Sequence, residues 1–366
     1  MTTWRRVVPA AIGAAAVAVV ATVTIVALAP TPAPVEAGSR AVAVADEFAV
    51  QSRLSSEAVT ALVPADQPGC SAAVARDGTV LWAGAAGLAD LAAGTPVTTE
   101  TRFDMASVSK QFTATAILML QRDGLLSLAD PIDAYVDGLP DWGATITLDQ
   151  LMHHTSRIPD YWVALDDIGI GFTDAADQAM TLDAIRSETE LDEGEGYEYS
   201  NSNYVLLAAV VERVSGQSLA DFLQARIFGP LGLDMVLAPT LHAPDIALSY
   251  DDDLSLQEAG WTSYGHTGII TTPSELARWG DQYRAGDIIQ DDFAVGAVVN
   301  DAATGERYAA GMYLTTTGSL NHQGRMGGFI SDFQVSADRH TTIVVMCNGH
   351  LSNRTALASA LWEIWG

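Results

Sequence analysis

Lysine is almost absent from this 366-residue chain: of eighteen basic residues seventeen are arginine and one is lysine, Lys110. Basic runs are missing beyond the N-terminus, and 45 acids leave a formal charge of -27, so nucleic acid is excluded as an expected partner. Cysteine is scarce. Cys70 and Cys347 are too few for a disulfide scaffold, and they stand either as one bridge or as two buried thiols. Metal-ligand patterns are lacking too: His153 and His154 are adjacent and point apart on a helix, and neither His-Glu-x-x-His nor Cys-x-x-Cys occurs. The chain has no Gly-x-Ser-x-Gly elbow and no phosphate-cradling glycine loop, so neither an α/β-hydrolase nucleophile nor a nucleotide site is indicated. No metal or cofactor is expected. What remains, 49% hydrophobic and 17% charged, is an ordinary globular composition, which rules out disorder and coiled coil for the bulk.

The N-terminus differs from the rest. Arg5 and Arg6 precede an apolar run from Val7 to Ala29, followed by the proline-rich stretch to Pro34 and the small-x-small tripeptide Val35-Glu36-Ala37. Residues 1–37 therefore read as a signal peptide cleaved after Ala37, or, if uncleaved, as an N-terminal membrane anchor. Either places the body, 38–366, outside the cytoplasm, secreted or held on the outer face of the cytoplasmic membrane. Contact with a membrane is expected only through this segment.

Within the body, helical spacing covers Val42 to Val63, and the short apolar runs Cys70–Arg76 and Thr79–Ala83 flank Asp77-Gly78, a strong hairpin signal. A helix is predicted from about Ser107 to Arg122, stopped by Gly124. From about 131 to 264 the pattern is helical: Leu148–His153, Leu182–Thr189, Tyr204–Val214 and Leu219–Phe228. Helix returns at Pro273–Tyr283, then strands at Tyr308–Thr316, Gly328–Ser336 and Thr341–Cys347, and an amphipathic helix closes the chain from about Ser352 to Trp365. Strands flanking a helical middle predict one α+β body, an antiparallel sheet flanked by helices (about 45–130 and 265–366) with an all-helical insertion (about 131–264).

Three groups of residues could do chemistry. Lys110 follows Ser107 by three positions at a helix start, so both share a face. A serine hydroxyl needs a base; a lysine can serve once burial lowers its pKa, and arginine cannot. Tyr199-Ser200-Asn201 precedes a helix, where the phenol can relay a proton and the Asn201 amide can bind a peptide-like substrate; plain helix capping is the alternative. His322-Gln323-Gly324 lies in a strand-like run, where a cation could hold a substrate carboxylate and the glycine allows close backbone approach; a bland surface histidine is the alternative.

Together, Ser-x-x-Lys, Tyr-x-Asn and a basic residue-x-Gly, with 92 and 123 residues between their leading positions, resemble the serine β-lactamase and penicillin-binding-protein superfamily. The resemblance is closest to its class C branch, which includes D-Ala-D-Ala carboxypeptidases and related esterases, and it spans about 45 to 366. Leu151 to Asp160, Gly216-Gln217-Ser218 with Pro230 to Leu233, Thr272 to Trp279 and Gly328 to Ser331 also match. The resemblance implies Ser107 as acylated nucleophile, Lys110 and Tyr199 as the base system, Asn201 as a substrate-amide contact, His322 as the third-motif residue, and the backbone N–H groups of Ser107 and of Arg325, after Gly324, as oxyanion hole. It makes the first and last strands neighbours, which favours a Cys70–Cys347 contact. It implies a substrate that is a small peptide, an ester or a β-lactam, with peptidoglycan as a further partner; a D-amino-acid peptidase or carboxypeptidase leads, an esterase or β-lactamase follows, and a non-catalytic wall-peptide binder is the third reading. Two departures stand out. His322 replaces the lysine usual in β-lactamases, as in some carboxypeptidases and D-amino-acid peptidases, which argues against efficient penicillin hydrolysis. Arg157 replaces the usual glycine after His154-Thr155-Ser156, which implies an altered loop.

Overall fold

The computed structural model describes residues 37–239, 242–257, 260–349 and 353–366. The chain divides into two units, Met1–Asp46 and Glu47–Gly366. Most of the first, and with it the expected signal segment, lies outside the described residues. Among the described residues no helix is long and apolar enough to cross a membrane.

The larger unit is built on an eight-stranded antiparallel sheet in the order Thr79–Ala86, Cys70–Arg76, Thr341–Cys347, Phe329–Val335, Leu320–Met326, Tyr313–Leu314, Glu306–Tyr308, Val298–Asp301. The first hairpin turns at Asp77-Gly78, both at positive φ (52° and 73°), as a tight two-residue turn requires. The first and last long strands are neighbours in a register that sets Cys70 opposite Cys347, and the two are bridged.

Alternation along these strands separates two cores. Cys70, Ala72, Val74, Ile343, Val345 and Cys347 face the helix Arg354–Trp365 and the end of the helix that stops at Leu62, where Val59, Val63, Leu357, Leu361 and Trp365 close an apolar layer. Ala73, Ala75, Val344, Met346 and Phe333 face the other way, into the large core around Phe112 and Trp279. There the helix Lys110–Arg122 packs against Asn201–Ser215, which ends at Gly216 in the left-handed conformation (φ 68°).

Two expectations are refined. Tyr308–Thr316 is two short strands, because the chain turns at Gly311 (φ 75°), where a Cβ would lie 2.6 Å from the backbone of Gln111. The middle segment is not purely helical: Val236–Leu237 pairs with Ile269–Thr271, which pairs in turn with Phe103–Asp104, in a three-stranded sheet just ahead of Ser107.

Candidate active site

Ser107 sits on a single helical turn, Ala106–Ser109, that runs directly into the helix beginning at Lys110. The turn is held from three sides. The buried Asp104 carboxylate accepts from Ala106 N (2.7 Å) and Gly268 N (3.3 Å), which fastens Ala106 in the left-handed region (φ 51°). Ser331 Oγ donates to Met105 O at 2.7 Å. Gly324 completes the clamp: a Cβ there would lie 2.5 Å from Met105 O and 2.9 Å from Ala106 Cβ. The glycine thus lets its strand reach the nucleophile-bearing turn, with Arg325 next along it.

Lys110 is fully buried, and burial pulls its ammonium down to about 7 against a weaker upward pull from the Asp160 carboxylate. Its Nζ has three polar neighbours: Asn201 Oδ1 at 2.8 Å, the His266 carbonyl at 3.2 Å and Ser107 Oγ at 3.1 Å. A neutral amine has two hydrogens and one lone pair. In the deprotonated form the two carbonyl oxygens can take both hydrogens and leave the lone pair for the Ser107 hydroxyl, the arrangement a general base needs. Tyr199 lines the same cavity as Ser107, and burial drives its phenol well above its ordinary value. Tyr199 therefore stays protonated at rest and can pass a proton on, with Lys110 as the group that accepts one.

Asn201 is the first residue of its helix, but the capping reading does not hold: Ser200 makes no side-chain cap bond. The cap comes from Asp160, whose Oδ2 accepts from both Asn201 N (2.9 Å) and Asn201 Nδ2 (2.8 Å). This fixes the amide with its oxygen on Lys110. One Nδ2 hydrogen remains beyond the one used by Asp160, in a cavity that Asn201 helps to line.

His322 is not the exposed cation expected at that position. It is 1% exposed, its Nδ1 is 2.7 Å from Gln323 O and its Nε2 is 3.2 Å from Tyr308 Oη, and burial beside Lys110 lowers its imidazole to about 3. It is a neutral ring behind Tyr199, with centroids 6.5 Å apart. Arg157 adopts the left-handed backbone (φ 61°) that suits glycine best, and its guanidinium binds Glu198 Oε2 (3.2 Å), Asp192 O (3.4 Å) and Glu193 O. It ties the 192–198 loop down ahead of Tyr199.

Ser107, Tyr199, Asn201, Gly324 and Arg325 line one cavity of about 540 Å³, with Thr267, Gln323 and Arg354. Three residues here escaped sequence reasoning. Asp160 orients Asn201. His154 stacks on Tyr199 (4.3 Å between ring centroids) while its Nδ1 accepts from Ser200 N at 3.2 Å and lies 3.0 Å from Asn203 Nδ2, and burial keeps it neutral. Arg354 places its guanidinium on Ser331 O (3.1 Å) and Gln323 Oε1 (3.1 Å), 3.9 Å from the Asp332 carboxylate. Asp160 and His154 lay within the matched segment Leu151 to Asp160, the one signal that pointed to them. Among the described residues no group of acids, histidines and cysteines is arranged to hold a metal ion.

A family model described as Beta-lactamase matches residues 57–363. Penicillin-binding protein 4* of Bacillus subtilis (strain 168) is 31% identical over 240 residues, 62% of this chain and 49% of that protein. A D-aminopeptidase of Brucella anthropi is 29% identical over 302 residues, 77% of this chain and 56% of its own length. The chain thus spans about half the length of these curated relatives. The structure of D-amino acid amidase from Ochrobactrum anthropi SV3 superposes with a TM-score of 0.71 at 20% identity, covering 87% of this chain and 98% of that one, a likeness of fold.

Proposed function

The chain belongs to the Beta-lactamase family, and from that premise we propose that it is an exported serine hydrolase that cleaves amide bonds of D-amino-acid peptides through an acyl-enzyme. The carrying observation is the buried Lys110 amine 3.1 Å from Ser107 Oγ and within hydrogen-bond distance of two carbonyl oxygens.

In the first half-reaction Ser107 Oγ bonds to the substrate carbonyl carbon as its proton moves to Lys110 Nζ. The charge that develops on the carbonyl oxygen falls to the backbone N–H groups of Ser107 and Arg325. Collapse breaks the carbon–nitrogen bond, and the departing amine takes the proton from Lys110 through the Tyr199 hydroxyl. Water then gives its proton to the same pair, adds to the ester carbon, and releases the acid as the proton returns to Ser107. Neutral His154 and His322 suit this scheme, since a second cation beside Lys110 would leave the amine less basic than the chemistry needs.

The names of the relatives, D-aminopeptidase and D-amino acid amidase, support a D-configured substrate. Arg354 favours a carboxylate on the leaving side, as in a peptide ending in D-Ala-D-Ala, because with His322 neutral it is a cation of the cavity able to meet one. An ester or a β-lactam would use the same machinery. The test is labelling with a fluorescent penicillin, followed by mass spectrometry of the peptide carrying Ser107, then rates on a D-Ala-D-Ala peptide, a D-amino acid amide, an aryl ester and a chromogenic cephalosporin. Stoichiometric labelling of Ser107 and fastest turnover of a D-configured amide are expected. Labelling that persists in Ser107→Ala would end the catalytic reading.

A further inference from the structure

Beside the catalytic cavity lies a second one of about 480 Å³ lined by Trp162, Phe172, Asp251, Gln257, Arg325 and Gly327. The two share Trp162 and Arg325. A substrate whose carbonyl sits on Ser107 therefore meets the second cavity with a neighbouring substituent, and the hydrolytic scheme makes no use of this space.

Its aromatic wall is firmly supported. Trp162 is the second residue of the helix Tyr161–Asp167, its backbone N–H donated to the capping Asp160 carboxylate, and its ring meets Trp261 edge-on at 5.2 Å. Trp261 is buried, donates Nε1 to Gly171 O at 2.9 Å, and meets Phe172 edge-on at 5.5 Å. Gly260 fastens the two segments, since a Cβ there would lie 2.2 Å from Asp174 O. Facing this wall, Gly327 adopts a positive φ of 56°, and a Cβ on it would come within 3.3 Å of the Phe172 ring, so a side chain would narrow the space. Trp162 nonetheless keeps 36% of its surface exposed. An indole locked in place with a bare face at a cavity mouth is an apolar surface prepared for a partner.

We infer that this second cavity is a subsite for a large planar apolar side chain on the acyl side of the scissile bond, so that aromatic D-amino acid residues are preferred to D-alanine there. The inference rests on Ser107 being the acylated nucleophile. A ring entering between Trp162 and Phe172 gains offset or edge-to-face contacts that a methyl cannot make.

Two substrate pairs test it: D-phenylalanine against D-alanine p-nitroanilide, and p-nitrophenyl phenylacetate against p-nitrophenyl acetate. The native enzyme should favour the aromatic member of each pair by at least about 10-fold in kcat/KM. Phe172→Ala and Trp162→Ala should each cut that ratio to within about 3-fold, the loss falling on the aromatic substrate, and Trp162→Phe should retain it. A thermal melt like that of the native enzyme, with Ser107 still labelled by penicillin to completion at whatever rate, certifies a folded site in each variant. Labelled native enzyme that shows no aromatic preference in either pair, or a preference untouched by both alanine variants, overturns the subsite alone. Absence of any Ser107 acylation overturns the hydrolase reading and the subsite with it.

Discussion

The two faces of the central sheet are made by the same strands and serve opposite ends. One presents Ala72, Val74, Ile343 and Val345 to two helices in an apolar layer closed by a disulfide. The other side of the molecule buries Asp104, Lys110, His154, His266 and His322, polar groups whose desolvation works against folding. The first face supplies stability that needs no chemistry. The second stores a desolvated amine and neutral imidazoles where they can act. The difference teaches that damage on one side should appear as lost stability with intact chemistry, and on the other as lost chemistry in a folded protein.

The sharpest way to break that separation is at Ser107 and Lys110. Ser107→Ala should abolish acylation, and Lys110→Arg, which keeps the charge but cannot release a proton, should lower kcat by about 100- to 10,000-fold with little change in Tm. Stopped assays beside thermal melts decide this; a comparable fall in Tm would show that Lys110 is structural. Next in size comes the bridge. The double variant Cys70→Ala, Cys347→Ala should lose about 2–5 kcal/mol of unfolding free energy in denaturant titration while keeping kcat/KM.

The pH profile is subtler. With Lys110 lowered to about 7, kcat/KM should rise as pH increases through about 7, because only the deprotonated amine accepts the Ser107 proton. The Asp160 carboxylate raises the Lys110 value, so Asp160→Asn should move this limb to lower pH while reducing kcat through a less firmly held Asn201. A limb that stays put would remove Asp160 from the control of Lys110. Smallest is Arg157→Gly. It relieves a left-handed residue at about 1 kcal/mol but gives up the guanidinium contacts to the 192–198 loop, so stability should change by less than about 1 kcal/mol.

Legibility followed the range of the interactions. The pair of Ser107 and Lys110 was readable because both lie on one helical turn, and a lone lysine in an arginine-rich chain marks itself. The α+β architecture was readable because hairpin and helix-stop signals are local. The state of His322 was not, since its neutrality comes first from burial and then from Lys110, more than two hundred positions away, both set by tertiary packing. For Asp160 and Arg354 the matched segment and the helix start were visible, but their targets, Asn201 and the carbonyls of Gly324 and Ser331, are set by tertiary packing alone.

The bridge between Cys70 and Cys347 has one more consequence. It joins two cysteines 277 positions apart and so closes a covalent ring that contains Ser107, Lys110, Tyr199, Asn201 and Arg325. Tension applied between the two ends of the body is then borne by the flanking tails and the sulfur link, and the loop holding the reactive groups carries none of it. A pull on the two ends of the body would thus bypass its reaction centre.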